Sequence, residues 1–391
     1  MIRFERPILA ARLTALAAFC IASSVCLAGP REQAKRIHDR LAGTPPTAAV
    51  LDSMATKVAA GDAIGAANDA MKNPAFYNTT VRELATPWTN RDHSVYADLN
   101  DSTATVIGMV RDDVPFDQVL SGDIVYAGSS TATSVPYSLA NNDHYVDLQT
   151  KHIDLSNTAN LVRQMQSSIT GQPINANETA GIMTTRGYAS AFLVAGTNRA
   201  AVRFATTNLL CMDMEDFRDV TAWPDRIRQD VSRSPGGDSN LFLNDCLGCH
   251  AGLDGLAGAF AFYNFDATSG QLQFTRDAVQ PKFLKDAGTF PFGYQTNSDS
   301  WINYWRSGPN AFVGWHGAGS GAGAKSLGME LAQTRQFSEC QVKNVFQKVC
   351  YRKPNGAVDL QAVQTIANSF EANNRSLKRV FAETAVYCMD Q

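Results

Sequence analysis

Five consecutive residues, Cys246-Leu247-Gly248-Cys249-His250, place two thiols three positions apart and directly before an imidazole. This C-x-x-C-H spacing is the pattern of covalent c-type haem attachment. The two thiols add across the two vinyl groups of one porphyrin, and the next residue, as a neutral imidazole, reaches the iron from the same short helix. Other chemistries fit less well. A zinc site needs four ligands, and no second Cys/His pair stands at a suitable spacing. A dithiol redox site wants a strand before it and a long helix after it, and neither is evident in the sequence. The expectation is one covalent haem c on Cys246 and Cys249, with His250 as the proximal axial ligand to the metal.

The sixth iron ligand is less determined. The other histidines are His38, His93, His144, His152 and His316. In small c-type cytochromes this ligand comes from a loop well after the attachment motif. His316, in Gly314-Trp315-His316-Gly317, and Met329, in Ser326-Leu327-Gly328-Met329, both fit that placement. His316 is the first distal candidate and metal ligand, Met329 the alternative, with Met183 and Met212 in reserve. An open site or another residue stays in play, since a loop histidine is often merely solvated and a helical methionine is usually core. A methionine ligand would raise the potential and a histidine would hold it lower.

The elements that position these groups start with a leader. Arg3, Arg6 and Arg12 precede the apolar or small run Leu13–Ala28, whose sixteen residues fall short of the roughly 20 needed to span a bilayer. A basic start, a short apolar middle and the ending Cys26-Leu27-Ala28 read as a secretory signal over 1–28, cleaved before Gly29-Pro30. A lipoprotein reading at Cys20 or Cys26 is weaker, because Phe19 and Val25 stand where a small residue is expected. The expected location is periplasmic or secreted to the cell surface, with no integral membrane segment in the mature chain. In such a compartment cysteines pair, and Cys211, Cys340, Cys350 and Cys388 remain after the motif has taken two.

Periodicity predicts a mainly α protein. A helical N-terminal region, 29–140, precedes a cytochrome c-like haem domain, 141–391. Ala34, Ile37 and Leu41 mark a first helix before Pro45-Pro46, and alanine-rich helices follow to about Lys72. Further helices are expected at 79–86, 102–112, 156–169, 185–194 and 198–211. The Ser/Thr/Ala-rich stretch from Gly128 to Asn142 is the linker candidate. Phe260–Phe265 and Gln271–Phe274 flank Ala-Thr-Ser-Gly as a short hairpin. A glycine-rich loop, Gly314–Gly323, comes before terminal helices at about 326–350, 357–372 and 376–388. In the last of these Leu377, Val380, Phe381, Thr384, Ala385 and Cys388 share one stripe.

Helix geometry constrains the disulfides. Val342, Val345, Phe346 and Val349 make Cys340–Cys350 one continuous helix, and ten residues of helix separate its ends by about 15 Å. A disulfide requires Cα atoms within about 7 Å. With the terminal helices running up, down and up, the expected pairs are Cys350–Cys388 and Cys211–Cys340.

The motif's surroundings, Asn244-Asp245-Cys246-Leu247-Gly248-Cys249-His250-Ala251-Gly252-Leu253-Asp254-Gly255 followed by Phe262-Tyr263-Asn264-Phe265-Asp266, resemble the planctomycete-type cytochrome c family. The resemblance extends to Gly181-Ile182-Met183-Thr184-Thr185, to Asn198-Arg199-Ala200-Ala201-Val202-Arg203, and to the stretch from Arg111 to Leu120. That family usually carries Met at the position of Leu253 and Pro at the position of Gly255. The Met would lie one turn after the proximal histidine, on the same side of the haem, so Leu253 is a packing exchange. The resemblance implies a single-haem protein and supplies no defined substrate.

Composition narrows the partners. The 391 residues carry 34 Lys+Arg against 37 Asp+Glu, so no basic excess exists to neutralise phosphates and no nucleic-acid partner is expected. Gly319–Ser326 nearly matches a phosphate-binding loop, but Ala324 replaces the glycine that must approach phosphate, and no nucleotide is expected. Trp301, Trp305 and Trp315 are read as core before haem-edge residues, and Asp213, Glu215 and Asp216 as a solvated helix end. The leading function is an electron carrier serving an unknown redox protein partner, since one haem is the minimal equipment for moving one electron. The alternatives are a haem enzyme of peroxidase or oxidase type, and a cell-surface binding protein with an accessory haem.

Overall fold

A computed structural model describes residues 28–284 and 287–390. The expected export signal and its two cysteines lie, but for Ala28, outside the described residues. The protein is mainly helical. Its α-helices of seven residues or more are α1 (Pro30–Ala42), α2 (Ala48–Ala59), α3 (Ala63–Ala70), α4 (Asp101–Arg111), α5 (Asp143–Thr150) and α6 (Arg186–Phe192), then α7 (Arg199–Leu209), α8 (Leu247–Ala257), α9 (Gly323–Ala332), α10 (Arg335–Val349), α11 (Gly356–Ala372) and α12 (Leu377–Tyr387). Several start at residues suited to capping free amide groups. Thr47 accepts from the Val50 amide, Asp62 from Gly65, Asn100 from Thr103 and Thr334 from Phe337.

The two ends of the chain share one core, which runs from Ala34 to Cys388. Helices α1 and α3 pack on α12, and α12 packs on α10 and α11. Phe76 meets Phe381 edge to face, with ring centroids 4.9 Å apart. Every residue of α4 is buried, including Asp101, which accepts from the backbone amides of Arg186 and Gly187 and so anchors the start of α6. Beyond α4, the segment around Asp117 ties to the junction between α11 and α12, where Arg375 pairs with Asp117 at 2.9 Å. Among the described residues, no helix is long and apolar enough to cross a membrane.

Three small antiparallel pairs complete the fold: β1 (Val125–Gly128) with β2 (Leu161–Gln164), β3 (Tyr263–Asp266) with β4 (Gln271–Phe274), and β5 (Ser300–Ile302) with β6 (Ser320–Ala322). The β3–β4 hairpin is the one expected from sequence. The other two pairs correct the expectation. Residues 156–169 do not form a helix, because their carbonyls serve another donor. The buried Arg111 guanidinium takes the carbonyl oxygens of Leu155, Asn157 and Leu161 at 2.8–3.3 Å, which leaves β2 free to pair with β1. The stretch expected as one helix from 326 to 350 is two helices, broken where Thr334 caps α10 and bridges to Trp315. The glycine-rich loop contains β6. Between β1 and α5 the chain has no helix or strand, yet it is packed. Ala132 joins the core, Thr133 donates to Asp147, and His144 bonds the Val135 carbonyl.

Helix α10 is continuous, and the four remaining cysteines pair as its geometry demands. Cys211 and Cys340 are bonded with Cα atoms 5.4 Å apart, and Cys350 and Cys388 with Cα atoms 5.7 Å apart. The first closes a sequence separation of 129 and the second one of 38. In the chain-entropy account, loops of those sizes are worth about 5 and about 4 kcal/mol respectively. Replacing Cys211 and Cys340 together by alanine should therefore destabilise more than replacing Cys350 and Cys388, as read from urea unfolding midpoints. An equal or reversed order would show that the denatured chain does not set the difference.

A second prediction concerns Lys282, after the β3–β4 hairpin. Burial pushes its ammonium down to about 7, against about 10.4 for a free lysine. The unfolded chain thus binds the extra proton between those values, so stability rises with pH across that window and the burden is full below it. Its partner, the Leu193 carbonyl at 2.5 Å, also accepts from the Phe265 amide, so losing the lysine orphans nothing. Lys282→Met should raise the urea midpoint at pH 6, with the gain vanishing near pH 10.5. A gain that is constant with pH would rule out the charge as its cause.

Candidate haem-attachment site

Helix α8 presents two unlike sides. Gly248, Gly252 and Gly255 fall on one side because they are four and three residues apart. A Cβ on Gly252 would sit 2.0 Å from the Trp305 indole nitrogen, and one on Gly255 would sit 2.8 Å from the Ile302 carbonyl oxygen. Gly248 rests on Arg218 and Val220, and its carbonyl accepts from the Asp219 amide at 3.0 Å. Trp305 in turn stacks on Phe217, with centroids 4.3 Å apart and planes 14° from parallel. Each residue turns a helix by about 100°, so His250, two residues from both Gly248 and Gly252, projects from the opposite side. Cys246, Cys249 and His250 are all half-buried.

The two motif cysteines are free thiols, whereas Cys211, Cys340, Cys350 and Cys388 are bonded. Burial, reinforced by the Glu215 carboxylate, pushes the Cys249 thiol up. Its sulfur hydrogen lies 3.4 Å (Sγ to O) from the Met214 carbonyl. Cys246 and Leu247 pack against a small apolar cluster of Ile227, Val231 and Phe242, separate from the main core. Large apolar side chains stand uncovered nearby in the chain. Val220 touches Gly248's position and Leu243 lies in the turn leading to Cys246; Trp223 is 73% exposed, and Phe292 is 90% exposed in the loop bonded to Ile227 and Gln229.

His250 bonds Asp254 through Nδ1, at 3.3 Å from Oδ1. Asp254 is wholly buried and held by two arginines. Arg199 donates to it from Nε at 2.6 Å and Nη2 at 3.0 Å; the Arg228 amide donates at 3.3 Å, and its Nη1 lies 3.5 Å away. Arg199 also makes a two-pronged pair with Asp230, both bonds 2.9 Å. Burial alone would raise the Asp254 carboxyl, but the Arg199 charge foremost, with the His250 and Arg199 hydrogen bonds and the Arg228 charge, holds it well below the usual carboxylate range.

The other candidates lie elsewhere. His316 is exposed, in the loop after the buried Trp315. Met329 is 47% exposed on α9. Both neighbour the buried Glu330, which bonds Asn303, Arg306 and the Gly319 amide. This group reaches α8 through Trp305, on the glycine side, and shares none of His250's partners. Met183 and Met212 are buried in the core. Trp301, Trp305 and Trp315 are core residues, as expected. In the phosphate-loop-like stretch, Lys325 donates to the Ala176 carbonyl and Ser326 accepts from the Trp301 indole. Asp213 pairs with Arg203 at 2.6 Å.

Compared with protein-family models, curated proteins and solved structures, the chain matches none. The site's chemistry is therefore argued from its own residues. Among the described residues, no group of three or more His, Cys, Asp and Glu side chains gathers in a metal-ligating arrangement. A porphyrin, which brings its own nitrogens, asks the protein only for axial ligands. Two free, half-buried thiols and an adjacent half-buried imidazole with one ring nitrogen unengaged fit that group. Sequence reasoning assigned no role to Asp254, Arg199, Arg228 or Asp230. The i,i+4 spacing of His250 and Asp254 was a usable signal; the arginines, far off in sequence, gave none.

Gly252→Ala should cost about 1–3 kcal/mol, the range for overpacking a filled core, because the Trp305 ring or α8 must move. Urea unfolding of the variant checks this, and Ala251→Gly, which removes a buried methyl from the same helix without creating a clash, serves as the comparison for altered helix propensity. An unchanged midpoint in Gly252→Ala would mean that α8 is not pressed on Trp305.

Proposed function

We propose that this protein is an exported mono-haem c-type cytochrome that passes electrons to or from a redox protein partner. Cys246 and Cys249 would hold haem c covalently, and His250 would be its proximal ligand. The observation that carries the reading is the state of the cysteines: four are paired in disulfides, while the two of the C-x-x-C-H motif are free, half-buried thiols beside a half-buried imidazole. Attachment needs that state. Each S–H adds across a vinyl group, forming one S–C and one C–H bond with no oxidant consumed, so a thiol already spent in a disulfide could not react.

The haem, when bound, supplies a one-electron iron couple. The chain's own residues supply the rest. Cys246 and Cys249 would hold the porphyrin, His250 would ligate through Nε2, the nitrogen left free when Nδ1 is engaged by Asp254, and exposed apolar side chains such as Trp223 and Phe292 would help to cover the ring. The disulfides and the signal-like leader support a location in the periplasm or at the cell surface. The resemblance in sequence to the planctomycete-type cytochromes supports the same cofactor.

The test is expression of the full chain in a host that matures c-type cytochromes, followed by a haem-stained denaturing gel. The wild type should keep its haem through denaturation. Cys246→Ser with Cys249→Ser should lose all of it, and His250→Ala should abolish the low-spin spectrum of any haem retained. A wild type without covalent haem overturns the proposal. Peroxide consumption separates carrier from enzyme. Rapid turnover by the wild type, lost in His316→Ala, would replace the carrier reading with a catalytic one.

A further inference from the structure

We propose that Asp254 is a positioning residue for the haem ligand: its buried carboxylate fixes the His250 imidazole as the Nδ1–H tautomer and makes Nε2 a stronger electron donor to iron. The inference rests on the haem reading above and deepens it, because it assigns the residue that sets the potential of the same site.

The geometry carries it. A carboxylate with no exposed side-chain surface is costly unless cations compensate it, and here two arginines do so. The cluster of Arg199 and Arg228 with Asp230 and Asp254 balances, two positive charges against two negative. A histidine ligates a metal as the neutral imidazole. A neutral imidazole carries one N–H, and the oxygen 3.3 Å from Nδ1 can only accept. The hydrogen is thus on Nδ1 and the lone pair on Nε2, the nitrogen left free for a metal. Ring nitrogens engaged by a carboxylate in this way fix the orientation of a ligating histidine and raise its basicity. A more basic axial ligand favours the ferric over the ferrous ion and lowers the potential.

Nor is Asp254 free to serve a merely local role. Its two oxygens are clamped from three directions, by the Arg199 side chain, the Arg228 backbone amide and the His250 ring. Arg228 also reaches back from Nη2 to the Asp254 carbonyl at 3.0 Å. The carboxylate cannot swing away from the imidazole without leaving a buried guanidinium unpaired. Distance and orientation at Nδ1 are thereby held by residues from α7 and from the loop after Pro224, outside the attachment helix itself.

The test uses the haem-loaded full chain and reads the midpoint potential by spectroelectrochemistry. Asp254→Asn keeps size and an acceptor oxygen but removes the charge. It should raise the potential so that the ratio of reduced to oxidised protein at a fixed ambient potential grows at least tenfold, which is 59 mV for one electron. Asp230→Asn is the control, since Asp230 pairs with the same Arg199 and does not touch His250. It should raise the potential by less than half as much, because it removes the same charge from the cluster without removing the contact to His250. An unmoved potential in Asp254→Asn, or an equal shift in Asp230→Asn, overturns the proposal while leaving covalent haem intact. Absence of haem in the wild type would instead sink the cytochrome reading. If Asp254→Asn does not accumulate, the wild type decides: the His250 Nδ1 proton, displaced by the ferric iron in the NMR spectrum, should exchange with deuterated solvent slowly. Exchange as fast as that of an exposed imidazole overturns the proposal.

Discussion

Helix α8 approaches Trp305 so closely that no side chain fits between them, and much of the site's arrangement follows from that contact. At Gly252 the backbone lies directly on the Trp305 indole, which is stacked on Phe217, while Gly248 rests on Arg218 and Val220 and Gly255 on the Ile302 carbonyl. The rotation of the helix is then fixed, because any other turn would drive a side chain into the indole. Once that side faces inward, His250 projects from the opposite side with Cys249 between, and Asp254 is placed where the Arg199 and Arg228 guanidinium groups can reach it. A chemistry-bearing helix needs such an anchor, since three flexible polar side chains at its start offer little packing of their own.

The charges around Asp254 illustrate a general balance. Removing ions from water is expensive, and the attraction between them seldom repays it in full. Such a cluster is therefore weak support for stability alone. It does, however, impose geometry: each guanidinium has fixed donor directions, so Arg199 holds both Asp230 and Asp254 in register. Buried charge here orients one imidazole, just as the buried Asp101 anchors the start of α6 and the buried Arg111 holds the carbonyl groups leading into β2.

The parts of this structure legible in the sequence are those governed by local rules. The stripe on α12, the continuity of α10 and hence both disulfides, and the β3–β4 hairpin follow from helix pitch, strand alternation and turn residues. The parts that were not legible depend on residues remote in the chain. Nothing within 156–169 announces that Arg111 will take its carbonyl groups and prevent a helix. The break at Thr334 reflects a bridge to Trp315, and β6 formed in a glycine-rich loop because β5 lay beside it. The site divides the same way. Cys246, Cys249 and His250 were visible as a motif, and Asp254 was visible at helical spacing. Arg228 was not, and the preference for His316 and Met329 rested on position in the chain, whereas the structure groups them around Glu330.

The size of the protein relative to its single motif also has a physical reading. A short helix with one side of glycine and the other of thiols and imidazole buries too little apolar surface to hold itself in place. Its support comes from the Phe217–Trp305 stack, which is seated in a core that runs through α4 and on to the helices at both ends of the chain. The first and third helices lie against the last, so the N-terminal residues contribute to the same support as the disulfide-bonded helices. Under the proposed redox function that rigidity would have value. A couple whose ligand orientation barely changes between oxidation states needs little reorganisation at each transfer, and the clamp on Asp254 is the point at which the stiffness of the whole molecule reaches the imidazole.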